Sequence, residues 1–284
     1  MAILLDFNPV VISAISVTPA NMIDKGAIRH MALNMILSYK NKFSKEYGEL
    51  IICCDSGNTW RKDAFPYYKI GRKKTREESA LDWKLIMTTL DEMCQELKDY
   101  FPYKVIKIDK AEADDIIGVL ANYIVANNSL DFFGTPEPIM IVSGDKDFKQ
   151  LHCADIHQYA PVLKKRLYEN NPARYLLEHI IIGDKSDSIP NIKSQDDVFA
   201  LAKRQSPITE KFLESILESK NIPSEYMDNF KRNQLLVDLS FVPLEYKTKI
   251  IEAYLNYKPA SKIRLSTYMM NHGLKQLYDK IQQF

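Results

Sequence analysis

Nine carboxylates in this chain stand where unrelated caps and turns would not gather them. Asp6 closes the apolar run Ala2–Leu5, and Asp55 follows Leu50–Cys54. Glu112-Ala-Asp114-Asp115 comes one short turn after Val105–Ile108, and Asp145-Lys-Asp147 follows Ile139–Val142 across Ser143-Gly144. Gly183-Asp184-Lys-Ser-Asp187 repeats the glycine-then-acid pattern later in the chain. Ligands of open α/β sheets bind at the carboxyl ends of the strands. Acids brought together there oppose one another's ionisation unless cations hold them. Singly, Asp6 or Asp55 reads as a cap or turn residue, and acids opening a helix complement its dipole. Asp145 with Asp147 beside a glycine resists that reading, and Asp184 with Asp187 is expected on one face of a helical turn.

The combination points to divalent metal, as two ions. Oxygen-only ligation selects hard cations, so Mg²⁺ is expected, with Mn²⁺ able to substitute. Two such ions can stabilise the attacking and leaving oxygens of phosphodiester hydrolysis and activate a water without a histidine base. His30, His152, His157, His179 and His272 fit that scheme, being scattered without acid or nucleophile partners. The chain has no GxxxxGK[ST] or GxGxxG loop, which disfavours nucleoside-triphosphate and dinucleotide chemistry.

A second feature lies beside Asp55. Residues 60–76 hold seven cations (Arg61, Lys62, Lys69, Arg72, Lys73, Lys74 and Arg76) against one acid, Asp63. Trp60, Phe65, Tyr67 and Tyr68 are interleaved with them. Charge runs are often solvated loops. Directly after a metal-ligand candidate, this one is read as a nucleic-acid contact, its cations drawing phosphates and its rings stacking unpaired bases. Lys164-Lys165-Arg166 is a weaker patch, readable as surface alone.

The elements that must position these residues alternate strand and helix over the first 160 or so positions. Strands are expected at 2–5, 50–54, 103–108 and 139–142, and helices at 23–39, 77–100 and 114–126. That order predicts an α/β fold with a largely parallel central sheet covered by helices on both faces. From about Arg174 the pattern becomes helical, with segments at 173–182, 196–204, 207–219, 224–237, 243–257 and 262–281 punctuated by prolines. The expected organisation is an α/β domain over 1–170, including a basic arch at 57–100, followed by a helical DNA-binding domain over 171–284.

Composition removes other classes. Thirty-eight Lys and Arg against 37 Asp and Glu exclude a simple polycation. Cys53, Cys54, Cys94 and Cys153 show no zinc spacing and read as reduced thiols. No signal peptide or membrane-length apolar run is present, so a soluble cytoplasmic protein without a membrane partner is expected.

Taken in order, LLDF, ICCD, YYKIGR, EADD, SGDKDF and GDKSDSIP resemble the 5′-nuclease (flap endonuclease) superfamily, which includes the 5′–3′ exonuclease domains of bacterial DNA polymerases. WRKDAFPYYK, REES, DKAEADD and STYMMNHGLKQL bring the chain nearest to the ribonuclease H branch of T-even bacteriophages. The resemblance spans the whole length and implies a PIN-like nuclease fold and a phage-infected host cytoplasm. It implies that Asp6, Asp55, Glu112, Asp114, Asp115 and Asp145 build one metal site and Asp147, Asp184 and Asp187 a second. Lys69 and Arg72 correspond to basic residues at the base of a helical arch that steer and polarise the scissile phosphate. The implied substrates are DNA and RNA–DNA hybrids with a 5′ end or flap, and the implied task is removal of lagging-strand RNA primers. A single-stranded DNA-binding protein and a sliding clamp are the implied partners, with a monomer as the default state.

Two departures qualify the resemblance. Asn191-Ile-Lys-Ser-Gln-Asp-Asp stands where the family has a glycine-rich hairpin, so the duplex grip is expected to fall to Lys193 and other side chains. The chain opens directly on its first strand, so docking of a partner through an N-terminal leader is not expected. Two other functions remain in view. A haloacid-dehalogenase-type phosphatase needs Asp-x-Asp, which Asp6-Phe7-Asn8 lacks. A non-catalytic branched-DNA binding module would keep the fold, yet its clustered acids would then only destabilise it.

Overall fold

A computed structural model of the chain describes residues 1–127 and 137–284. Its elements are β1 (Ala2–Asp6), α1 (Phe7–Ile15), α2 (Lys25–Tyr47), β2 (Glu49–Cys53), α3 (Trp60–Ala64), α4 (Gly71–Glu77), α5 (Trp83–Tyr100), β3 (Lys104–Ile106), α6 (Ala113–Asn127) and β4 (Ile139–Val142). There follow β5 (Ile156–Ala160), β6 (Lys165–Leu167), α7 (Pro172–Ile182), α8 (Glu210–Ser219), α9 (Met227–Val237), α10 (Leu244–Leu255), α11 (Leu265–Asn271) and α12 (Lys275–Tyr278). The strands form one sheet in the order β3-β2-β1-β4-β5-β6. β1 to β5 are parallel, and β6 returns antiparallel to β5. The order reverses between β1 and β4, the switch point where such sheets open a crevice at the strand ends. The expected α/β class is therefore observed.

The central strands read as continuous apolar runs because both faces are covered. Ile3, Leu5, Leu50, Ile52, Val105, Met140 and Val142 pack against α1, α2 and α5. Their alternates Ala2, Leu4, Ile51, Ile106, Ile139 and Ile141 pack against α6 and α10. β1 pairs with β2 from Ala2↔Glu49 to Asp6↔Cys53, and with β4 up to Leu5↔Val142. This register delivers Asp6, Asp55 and Asp145 to one rim.

Several boundaries differ from expectation. β5 and β6 are additional strands, and α1 begins immediately after Asp6. The segment 196–204, expected as a helix, is a series of turns, and 262–281 is broken into short helical pieces. Residues 83–100 belong to the core layer, since Ile86, Leu90, Met93, Cys94 and Leu97 of α5 pack beneath the sheet. The exposed basic cover is confined to the stretch before α5.

The residues after 171 divide between two places. Residues 171–237 pack into two small cores, one around Ile180, Ile189 and Leu236 that also takes in Phe65 and Tyr68, the other around Ile181, Ile192 and Ile216. Beyond them the chain returns to the sheet. Leu239, Val242, Tyr246 and Ile250 join the α6 face. After running beside β3, where Asn256 and Tyr257 line a groove with Val105 and Ile106, the chain places Leu265, Tyr268, Leu277 and Phe284 on the opposite face. A polar joint holds this return. Arg29 of α2 binds Glu92 at 2.9 Å and Glu96 at 2.6 Å, and the Tyr268 hydroxyl donates to Glu96 at 2.7 Å. The return covers the edge strand β3, which would otherwise present unpaired backbone groups.

Candidate metal centre

The first acidic cluster is built on the turn between β2 and α3 and on the start of α6. Asp55 Oδ1 accepts the Ala113 backbone N–H at 2.8 Å, and its Oδ2 accepts Asn8 Nδ2 at 3.0 Å. This fixes the start of α6 against the end of β2. Glu112 is almost fully buried, and its Oε2 accepts from Thr59 Oγ1 at 3.0 Å and Arg61 Nη1 at 3.2 Å. Its Oε1 accepts from Lys69 Nζ at 2.5 Å. The Tyr68 hydroxyl lies between Glu112 Oε2 (3.0 Å) and Asp187 Oδ2 (3.1 Å), with one hydrogen to offer. Asp115 is fully buried, and its Oδ2 accepts Trp60 Nε1 and the Glu112 backbone N–H, each at 3.0 Å. Its Oδ1 is 2.8 Å from Arg61 Nη1, off the hydrogen-bonding axis. Glu112, Asp114 and Asp115 can each point one oxygen at a common ion.

These contacts correct part of the nucleic-acid reading. Arg61 is only 1% exposed, lies among Glu112, Asp114 and Asp115, and donates to the Leu236 carbonyl at 2.9 Å. Tyr68, Trp60 and Phe65 are also buried, so none of them faces a base. Lys62, Arg72, Lys73 and Lys74 remain exposed and Arg76 partly so, its guanidinium over the Trp83 ring at 5.3 Å. Lys193 is partly buried, its Nζ 3.5 Å from the centre of the Phe212 ring. Around it, Asn191 Oδ1 accepts Lys193 N and Ser194 Oγ, and Asn229 Nδ2 donates to the carbonyls of Ile192 and Ser194. Side-chain amides thus hold this loop where no glycine hairpin is available.

The second cluster gathers around the β4 end and the turn after α7. Ser143 Oγ donates to Asp6 Oδ2 at 2.7 Å and accepts the Asp145 backbone N–H at 3.1 Å. Gln158 of β5 donates to the carbonyls of Ser143 (2.9 Å) and Asp145 (2.6 Å), stiffening the acidic loop. Asp145 is exposed and its Oδ1 accepts the Asp147 backbone N–H at 2.9 Å. Gly183, at φ 73°, ends α7, and a Cβ there would stand 2.5 Å from the Ile189 carbonyl oxygen. Only glycine permits the tight turn that presents Asp184.

Asp184 and Asp187 do not share a helical face. The turn between them is closed by a bridge from Asp184 to Ile189, and the two side chains part. Asp184 Oδ1 accepts Ser186 N and Oγ at 2.8 and 2.7 Å, and its Oδ2 is 3.3 Å from Lys146 Nζ. Asp187 turns to Arg72 Nη2 (2.6 Å) and Lys69 Nζ (3.5 Å). Lys69 adopts a left-handed backbone at φ 57°, which costs about 1–2 kcal/mol for a residue with a Cβ. Its backbone N–H donates to the Asp187 carbonyl at 2.7 Å, so the conformation ties the basic cover to the acid turn.

His179 was expected to stand apart and does not. Buried on α7, it places Nδ1 3.4 Å from Asp147 Oδ1 and Nε2 3.7 Å from Asp184 Oδ2. Other contributors absent from the sequence reading are Asn8, Thr59, Ser143 and Gln158. A lone polar residue flanked by apolar strand or helix residues carries no signal until its partner is known.

Electrostatics separate the acids. Burial raises Asp6 well above the usual carboxylate range, with Asp55 adding to it against the Ser143 hydrogen bond. Burial likewise raises Asp114, partly opposed by Arg61. Asp147 is raised by burial and then by Asp145, Asp184 and Asp187. Burial would also raise Glu112, yet Lys69 and Arg61 hold it down to about 2. Asp184, despite burial, lies below its ordinary value because His179, Ser186 and Lys146 favour its anion. Buried groups with no hydrogen-bond partner include Asn8 Oδ1, Asp147 Oδ1 and both His179 nitrogens. Orphaned acceptors and mutually raised acids are what a site for cations presents, so the residues fit divalent metal.

A cleft of about 590 Å³ opens on this rim, lined by Asp55 and Glu112 together with Lys62, Lys69, Arg72, Lys73 and Arg76. Among the described residues no helix is long and apolar enough to cross a membrane.

Comparison with known proteins gives this arrangement a family. Residues 12–177 match the 5′–3′ exonuclease N-terminal resolvase-like domain, and residues 171–284 match the T4 RNase H C-terminal domain. The chain is 30% identical to ribonuclease H of Enterobacteria phage T4, over 99% of this chain and 95% of that protein. It is 25% identical to DNA polymerase I of Bacillus subtilis, over 98% of this chain but only 32% of the polymerase. Among solved structures, the bacteriophage T5 D15 protein with metal ions superposes with a TM-score of 0.58 at 14% identity, covering 89% of this chain and 93% of that one. The T5 D15 flap endonuclease in complex with DNA and metal ions gives the same score, covering 95% and 97%. At that identity the likeness concerns the fold, a PIN-like nuclease architecture. The chain belongs to the 5′–3′ exonuclease family of phosphodiester hydrolases.

Proposed function

We propose that the chain is a divalent-metal-dependent 5′ nuclease that hydrolyses phosphodiesters at the 5′ ends of RNA–DNA hybrids and DNA flaps, removing RNA primers from lagging-strand fragments. The observation that carries this reading is a single cleft lined by both Asp55 and Glu112 and by five cations. A phosphodiester strand needs both: positive charge to bring it in and acids to hold the ions that act on it.

In this reading Asp6, Asp55, Glu112, Asp114, Asp115 and Asp145 hold one ion and Asp147 and Asp184 a second. Mg²⁺ is the physiological choice and Mn²⁺ a substitute. Bound there, the ions supply charge neutralisation at the phosphate and activation of water. The chain's own groups do the positioning. Lys69, whose protonated form is strongly favoured by Glu112 and Asp187 despite burial, keeps a fixed positive charge at the cleft floor. With Arg72 it orients the scissile phosphate and stabilises charge that builds on it. Asp187 holds both cations in place and would be a further ligand of the second ion. Lys62, Lys73, Lys74 and Arg76 draw in the phosphates of the entering strand. Lys193 stiffens the loop facing the duplex through its ring contacts. A single-stranded DNA-binding protein and a sliding clamp are the proposed partners of a monomeric enzyme.

The test is a 5′-labelled flap and a nicked RNA–DNA hybrid, each with Mg²⁺ or with chelator. Short labelled 5′ products that require metal, and that vanish when the 5′ end is blocked or circularised, are expected. Release without metal, or indifference to the 5′ end, contradicts the proposal.

A further inference from the structure

We infer that Asp147, His179 and Asp184 form a mixed nitrogen–oxygen metal site that prefers Mn²⁺ or Zn²⁺ to Mg²⁺. This rests on the metal-dependent nuclease reading and gives the second ion a chemistry different from the first. Among the described residues, two groups of acids and histidines could each close on one ion, and only this group includes a nitrogen donor.

His179 is only 7% exposed, yet neither ring nitrogen has a hydrogen-bond partner. Burying two such atoms unpaired is costly, and at least one needs a donor or a cation. The neighbouring carboxylates do not supply a hydrogen bond, because 3.4 and 3.7 Å are beyond that range. The two acids also differ in what they can still accept. Asp184 is occupied by Ser186 N, Ser186 Oγ and Lys146, whereas Asp147 Oδ1 is buried and unpaired. Nδ1 of His179 and Oδ1 of Asp147 are therefore the free pair. Ligand atoms about 2.1 Å from a shared ion at near-tetrahedral angles stand roughly 3.4 Å apart, the separation observed. Nε2 lies 3.7 Å from Asp184 Oδ2, so the imidazole stands between the two carboxylates, and all three residues offer a ligand atom to one ion. The Tyr175 ring, edge-on to His179 at 5.8 Å, restricts its rotation.

Ligand chemistry then sets the selectivity. Mg²⁺ takes oxygens and keeps its waters, whereas transition ions accept an imidazole, Mn²⁺ more weakly and Zn²⁺ more strongly. The Glu112 cluster offers oxygens alone and stays a site for hard cations.

The experiment uses the full chain with ¹⁵N-labelled histidine, its His179 signals assigned by their loss in H179Q. Zn²⁺ serves as the diamagnetic probe. Saturable movement of one His179 ring nitrogen near one equivalent, absent with Mg²⁺, is expected. Calorimetry should show H179Q binding Mn²⁺ at least about tenfold more weakly, with Mg²⁺ affinity changed by less than that. His179 nitrogens unmoved by Zn²⁺, or equal losses for both ions in H179Q, would overturn the site. The nitrogen readout is made on wild-type protein, so it survives misfolding of the variant. Mg²⁺-supported flap cleavage by wild type with silent His179 nitrogens removes this inference and leaves the nuclease reading. Shifted nitrogens without cleavage by any metal do the reverse.

Discussion

The two acidic clusters of this rim are neutralised in different ways. Around Glu112 the countercharges are built in, with Arg61 and Lys69 inside ion-pair distance and Thr59, Tyr68 and Trp60 donating to the carboxylates. Around Asp147 the resident cation is Lys146, half exposed and directed at Asp184 alone, while Asp147 Oδ1 and both His179 nitrogens are unpaired. One cluster can fold on its own charges; the other waits for cations from solution. The difference teaches that an acid count does not measure metal demand. What matters is how many acids the fold has already matched with a buried guanidinium or ammonium.

The largest effect that would break this comparison is on chemistry. Asp145→Asn removes an exposed carboxylate from the rim without disturbing a buried pair. Single-turnover cleavage of a flap should slow by about a thousandfold or more, roughly 4 kcal/mol of barrier, with binding by anisotropy little changed. A variant with undiminished rate would remove Asp145 from the metal site. Arg61→Met comes next. Stranding Glu112 and Asp115 without their cation should cost about 3–5 kcal/mol in urea unfolding. Asp147→Asn should instead leave the metal-free protein as stable or more so. Equal losses in the two variants would erase the distinction.

Acidity sharpens the same contrast. Asp6, Asp114 and Asp147 have folded values above their unfolded ones, so the native state binds the extra protons. Metal-free stability should therefore rise as pH falls from 8 through the raised values toward about 4. Glu112 works in the opposite sense. Its contribution is present above its unfolded value and is lost as pH falls toward about 2. Thermal melts across pH with chelator should show a maximum on the acid side. Saturating divalent ion, adding roughly 2–3 kcal/mol at a hundredfold excess over its dissociation constant, should flatten the limb above pH 5. A profile unaltered by metal contradicts the assignment. The smallest effect concerns the cover. Changing Lys73, Lys74 and Arg76 to alanine should lower the salt slope of single-strand binding by roughly 2. Lys73 and Lys74 are 85% and 82% exposed, with Glu77 and Glu78 only at the edge of pairing distance. An unchanged slope would make the segment an ordinary solvated surface.

Much of the rim was legible because parallel strands buried on both faces write continuous apolar runs, and the acids stand at their ends. α1 was not, since Asn8 and Pro9 follow the strand with no linker and Asp6 makes no side-chain cap. β5 was hidden by His157 and Gln158, whose polarity is satisfied by Tyr47 and by the Ser143 loop. The turns at 196–204 carry helix-like spacing but are fixed from outside, with Arg232 pairing with Asp196. Arg61 and Tyr68 sat in a charge run whose average exposure gave no hint that two members turn inward. The only local sign was the aromatic company of Trp60 and Phe65. His179 lay in an apolar helix, and 32 residues separate it from Asp147. Only the folded turn at Gly183 brings the two together with Asp184.

The most direct measurement is a count of bound divalent ions. Equilibrium dialysis of metal-free protein against Mn²⁺, with and without Asp147→Asn, reads the rim itself, independent of any substrate. Two ions per wild-type chain and one per variant are expected. No binding in wild type, or the same count in both proteins, would contradict the account.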